Sequence, residues 1–132
     1  MYRSQPILIL SGRDPPSEIL VSNLKPHVKV IHFPMPEFSC SNAKMMLFHY
    51  KDKSMRIVMG NHNLTEFYWT NKTQTLWISP RLPTLPEDSL PEAGESPTKF
   101  RQDFLSYLKH YKLPEFDLWI DRIKQTDFSA IK

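Results

Sequence analysis

The chain of 132 residues carries a single cysteine, Cys40. That excludes an internal disulfide scaffold and a multi-cysteine zinc site, and a lone thiol suits a reducing compartment. Long hydrophobic runs are missing too: no stretch approaches the roughly 18–20 apolar residues of a membrane span. The amino end, Met1-Tyr2-Arg3-Ser4-Gln5-Pro6, lacks the apolar core of a signal peptide. The expectation is an intracellular chain with no membrane partner. Neither charge sign is in large excess: the formal net charge of +3 permits a polyanionic partner without demanding one. What is present is core material. With 8 Phe, 5 Tyr and 3 Trp the chain has too many large apolar groups for disorder, and its length fits one domain.

Pro6-Ile7-Leu8-Ile9-Leu10-Ser11-Gly12 is a short apolar run closed by glycine, the pattern of a strand buried on both faces. Ser17 is placed to cap a short helix running to Leu24, which Lys25-Pro26 stops. Residues 27–33 alternate and read as a second strand, completing a βαβ unit. Residues 44–50 and 55–60 follow as two strands joined by the polar Lys51-Asp52-Lys53-Ser54. Asn63 through Tyr68 reads as one helical turn, and Thr73 through Ile78 as a fifth strand. The proline-rich, acidic stretch 80–96 predicts an exposed, flexible loop. Ser96-Pro97 then opens a helix whose apolar face is Phe100, Phe104, Tyr107, Leu108 and Tyr111. After Pro114 a second helix presents Phe116, Trp119, Ile120 and Ile123. Lys99, Arg101, Lys109 and Lys112 read as a solvated face. The expected fold is α/β, a mixed sheet of about five strands flanked by helices.

Lys44 opens one strand and Asn63 lies just beyond the next, so a cationic amine and a carboxamide can converge on one anionic oxygen. Fixed positive charge with hydrogen-bond donors suits phosphate better than a carbonyl. Each residue also has a plainer reading, Lys44 as a solvated strand-start lysine and Asn63 as a helix cap.

The strings Asn42-Ala43-Lys44-Met45-Met46-Leu47, Asn63-Leu64, Trp69, Lys72-Thr73-Gln74, Trp77-Ile78-Ser79-Pro80 and Gly94-Glu95-Ser96-Pro97-Thr98 closely resemble the amino-terminal half of the tyrosyl-DNA phosphodiesterase family, part of the phospholipase D superfamily. The resemblance runs in order from Pro6 nearly to the end of the chain. It implies residues 1–132 as a single phospholipase D-like half domain and a role in removing tyrosyl-type adducts from DNA 3′ ends, single- or double-stranded, in the nucleus. No metal or cofactor is implied. In the family a His-x-Lys motif and a downstream Asn act together: the His attacks phosphorus, forming a phospho-histidine, and the Lys and Asn hold the phosphate oxygens. Lys44 and Asn63 match the Lys and the Asn. The position of the nucleophile is Asn42. A carboxamide nitrogen has its lone pair delocalised into the carbonyl, so it is neither base nor nucleophile.

No other residue takes over on sequence grounds. His32, His49 and His62 read as structural histidines, and Cys40 as a loop filler without an activating partner. His27-Val28-Lys29 spells His-x-Lys by chance, with no suitably placed Asn after it. The family's second His-x-Lys set, which supplies the general acid, has no counterpart here. By resemblance Phe38 stacks on a DNA base, and Lys72 and Gln74 lie near the site. The implied reading is a half domain inactive alone, needing a missing second half or a second copy. The alternatives are a non-catalytic DNA- or phosphate-binding module and a truncated gene product.

Overall fold

The computed structural model describes residues 5–11, 26–33, 37, 43–63 and 66–132. Two compact units divide the chain, residues 1–43 and 44–132. The helix expected over 17–24 lies outside the described residues.

In the first unit, β1 (Ile7–Ser11) pairs in parallel with β2 (Val28–His32), in the register Ile7 to Val28 through Ser11 to His32. Parallel pairing is what a βαβ reading requires, since two parallel strands need a crossover between them. Burial on both faces of β1 is not what the structure shows. Ile7 and Ile9 are 47% and 42% exposed, whereas Leu8 and Leu10 are half-buried. Side chains alternate along a strand, so a continuous apolar run still divides between two faces.

The second unit combines an antiparallel sheet with helices. β3 (Met45–His49) and β4 (Met55–Gly60) form the hairpin, and β5 (Leu76–Ile78) adds to the far edge of β4, giving the order β3-β4-β5. The turn is built by Asp52, whose carboxylate accepts from the Ser54 amide at 3.1 Å and the Ser54 hydroxyl at 2.7 Å. Lys53 takes the left-handed conformation, φ 64°, that the tight return demands. Arg81 closes over the turn, donating to Asp52 and to the Ser54 hydroxyl, both at 2.7 Å, with its guanidinium 4.6 Å from the Tyr50 ring.

Cross-strand partners share a face. One face holds Met45, Leu47 and His49 with Met55, Ile57, Met59 and Trp77. Trp77 meets Phe100 at 6.3 Å, and Phe100 in turn packs on Phe104 and Phe128, so this is the core face. Met55, Ile57, Leu82, Ile123 and Phe128 are fully buried there. The other face carries Lys44, Met46 and Phe48 with Arg56, Val58, Gly60, Leu76 and Ile78.

After β4 comes α1 (Glu66–Asn71), which runs past the end at Tyr68 that the sequence predicts. α2 (Phe100–His110) starts later than Ser96-Pro97 predicts, because Lys99 sits at φ 60° and breaks helical geometry. The Ser96 hydroxyl still accepts from the Phe100 amide at 2.8 Å. A single 3₁₀ turn (Pro114–Phe116) leads into α3 (Asp117–Lys124). Phe104, Leu108, Phe116, Ile120 and Ile123 are buried as their spacing predicts, while Tyr107 is 40% exposed and hydrogen-bonds the Tyr111 hydroxyl at 2.6 Å.

Two readings are corrected here. Arg101 is not on a solvated face but 4% exposed, because its guanidinium reaches the backbone carbonyls of Pro91, Ala93 and Lys124. The 80–96 stretch is not uniformly exposed either. Leu82 exchanges both backbone hydrogen bonds with Met55 at 2.9 Å and is fully buried, a local strand contact hidden among prolines.

Candidate functional site

The register builds the site. The Gly60 amide donates to the Lys44 carbonyl at 2.8 Å, one step beyond the Met45–Met59 pair. Gly60 also pairs with Leu76, the first residue of β5. Lys44, Gly60 and Leu76 are therefore the terminal row at one end of the sheet. Asn61 to Asn63 leave that end from β4, and Lys72 to Thr75 arrive there towards β5. The Asn61 side chain bonds the two segments, its Oδ1 accepting from the Thr75 amide at 3.0 Å.

Gly60 matters in this row because a Cβ there would stand 3.1 Å from Leu76 Cδ2 and 4.0 Å from Lys44 Cβ. The missing side chain makes room for Leu76 in this row, while the Lys44 stem would be at ordinary contact distance. Lys44 is half-buried, Asn63 and Lys72 are exposed, and Gln74 is half-buried. Four of the six residues singled out by sequence, Lys44, Asn63, Lys72 and Gln74, thus gather at one sheet end within one unit. The other two, Asn42 and Phe38, lie outside the described residues, as does Cys40.

The candidate replacement histidines separate clearly. His49 pairs with Met55 at the turn end of β3, and five residues of strand rise put it about 17 Å from Lys44. It also lies on the opposite, core face. Its pKa is lowered by burial first, then by the Arg122 charge, with Asp52 acting the other way. His62, in contrast, is at the site end. Its ring packs against Tyr68 at a centroid distance of 5.5 Å, and its Nδ1 is buried with no hydrogen-bond partner among the described residues. Both amide atoms of Gln74 are in the same condition. Sequence alone has no signal for this, because it depends on how the 61–63 bend packs under α1.

An ammonium with several carboxamides offers donors for the oxygens of an anion. Among the described residues no group of three or more His, Cys, Asp or Glu side chains is arranged to hold a metal. No described helix is long and apolar enough to cross a membrane.

Comparison with known proteins bears on this arrangement. Residues 1–132 match the family model described as tyrosyl-DNA phosphodiesterase. The chain is 46% identical over 128 residues to tyrosyl-DNA phosphodiesterase 1 of Drosophila melanogaster, covering 96% of this chain and 22% of that protein. It is 28% identical over 112 residues to tyrosyl-DNA phosphodiesterase 1 of Arabidopsis thaliana, covering 83% of this chain and 18% of that protein. The crystal structure of the yeast tyrosyl-DNA phosphodiesterase has a similar fold, with a TM-score of 0.75 at 22% identity, over 96% of this chain and 31% of that one. The chain thus spans less than a third of the length of each of these relatives.

Proposed function

This chain belongs to the tyrosyl-DNA phosphodiesterase family, and from that premise we propose that it binds the phosphate of a DNA 3′ end without hydrolysing it. The observation that carries the reading is the terminal row of the sheet. Lys44 stands in that row, Asn63 and Gln74 lie on the segments that leave and reach it, and by resemblance Lys44 and Asn63 match the residues with which the family holds phosphate. Lys44 supplies the charge, and the carboxamides supply N–H donors that need no change of protonation state. Lys72 adds a second cation at the same end.

Hydrolysis fails at Asn42 in this reading. The family's attack on phosphorus uses the in-plane lone pair of an imidazole nitrogen, and the amide nitrogen of asparagine has none to give. The reading also takes residues 1–132 as one half domain of a two-half fold. Relatives three to five times longer support this, as does the Lys44 face itself, where Phe48, Leu76 and Ile78 are 44%, 36% and 52% exposed. A second half or a second copy would cover such a face, and by resemblance Phe38 is the residue that stacks on a base. The place of action is the nucleus, where adducted DNA ends are found.

A cleavage and binding experiment tests this. With a 3′-phosphotyrosyl oligonucleotide the unmodified chain is expected to give no turnover. It should bind in a salt-dependent way that Lys44→Ala weakens. Clear turnover by the unmodified chain overturns the role of Asn42. Binding indifferent to Lys44→Ala overturns the phosphate site.

A further inference from the structure

Three buried polar atoms at the site end of the sheet have no hydrogen-bond partner among the described residues: Nδ1 of His62, and Nε2 and Oε1 of Gln74. Their placement is not scattered. His62 follows the end of β4 at Gly60 by two residues and Gln74 precedes the start of β5 at Leu76 by two, at the end of the sheet where Gly60 pairs with Leu76. The Asn61 to Thr75 hydrogen bond at 3.0 Å keeps the two segments together over that step. Tyr68 backs the imidazole, its ring 5.5 Å away. Folded chains pair nearly all their buried polar groups, so three orphans on the two segments that meet at one sheet end point to a bound molecule that completes them. A histidine present for packing alone would direct its ring nitrogens to solvent or to a protein acceptor.

We propose that His62 is a further phosphate-contacting residue of this site, acting with Gln74 across the end of β4 and β5. The inference rests on the reading of the Lys44 and Asn63 end as a phosphate site, and it adds a residue that the sequence assigns to structure. The imidazole N–H and the carboxamide N–H₂ donate to phosphate oxygens. The remaining carboxamide oxygen accepts from a proton-bearing oxygen, either a phosphate hydroxyl or a water bound with the anion. No bond to phosphorus forms: His62 holds the anion and does not attack it.

The test uses the full chain and inorganic phosphate as the probe, with affinities from calorimetry and the His62 ring nitrogens followed by ¹⁵N NMR. His62→Phe keeps a ring against Tyr68 and removes both nitrogens. The expected results are a saturable shift of the His62 ring resonances and roughly tenfold weaker phosphate binding by His62→Phe, the loss of one charge-assisted hydrogen bond. Lys44→Ala should also weaken binding. Saturable binding that Lys44→Ala weakens but that leaves the His62 resonances unmoved overturns the inference while the phosphate site stands. So does an affinity unchanged in a folded His62→Phe variant. Absence of saturable binding by the unmodified chain overturns the phosphate site, and the inference with it. If His62→Phe does not fold, the ring-nitrogen shift in the unmodified chain decides the matter alone.

Discussion

Replacing Arg101 with methionine should destabilise the fold by about 3–5 kcal/mol, the range for breaking one side of a buried ion pair. The guanidinium is 4% exposed and joins three segments. It donates to Ala93 O at 2.6 Å and to Pro91 O at 3.0 Å, and its Nε lies 3.5 Å from Glu95 Oε2. The 3.4 Å approach to Lys124 O is too long to add much. Two short bonds from a charged donor are worth about 1.5–3 kcal/mol each. Methionine recovers part of that by filling the volume, which brings the expected loss back into the range above. Glu95 is less exposed to this change, because its carboxylate also accepts from the amides of Ser96, Arg101 and Gln102 at the start of α2. Glu95→Gln keeps one oxygen for the Ser96 and Arg101 amides but turns an N–H₂ donor towards the Gln102 amide and the Arg101 guanidinium, so a loss of at least about 1 kcal/mol is expected. The assay is urea unfolding followed by circular dichroism, with free energies from linear extrapolation. The double variant should lose less than the two single losses combined. An Arg101→Met variant within about 1 kcal/mol of the parent would refute the reasoning, since such a value is typical of an exposed pair.

Three further outcomes follow from the geometry. Gly94 sits at φ +71°, where an added Cβ would stand 2.8 Å from Leu85 Cδ2 and 2.9 Å from the Asp127 Cα. Gly94→Ala should therefore cost about 2 kcal/mol or more in the same urea assay, and a neutral result contradicts the strain. The Ser54 hydroxyl, then the Ser54 amide and Arg81, hold the Asp52 carboxyl down to about 2. The stability this contributes is complete above the unfolded aspartate value of about 3.9 and is lost as pH falls towards 2. Asp52→Asn should flatten that acid limb of the melting temperature, and an unchanged limb contradicts the pairing. Burial, then the Tyr111 hydroxyl, pushes the Tyr107 phenol up to about 12. Its folded state holds the proton more tightly, so stability falls as pH rises from about 10 towards 12. One phenolate in an alkaline absorbance titration should appear near 12, and it should be missing in Tyr107→Phe.

The elements that sequence made legible are those whose cause is local. Met55 through Gly60 read as a strand because a largely apolar run follows a polar turn, and Phe104, Leu108, Ile120 and Ile123 read as core from helical spacing. That Lys44 and Asn63 belong to one end of the sheet was legible for the same reason: a hairpin returns the end of β4 to the start of β3. What escaped depends on distant partners. Arg101 looks like any surface cation until the carbonyls of Pro91 and Ala93 curl back over it. Leu82 looks exposed among prolines until Met55 pairs with it. The later start of α2 turns on the backbone of Lys99, which no side-chain pattern announces. The unpaired nitrogens of His62 and Gln74 likewise arise only once β5 lies beside β4.

Equilibrium binding of a 3′-phosphorylated oligonucleotide to the unmodified chain and to Lys44→Ala, measured across a salt series, tests the central claim most directly. The account predicts saturable binding by the unmodified chain and a salt slope that is smaller by about one for Lys44→Ala, reflecting one lost phosphate contact. Equal affinity and equal slope for the two proteins would contradict it.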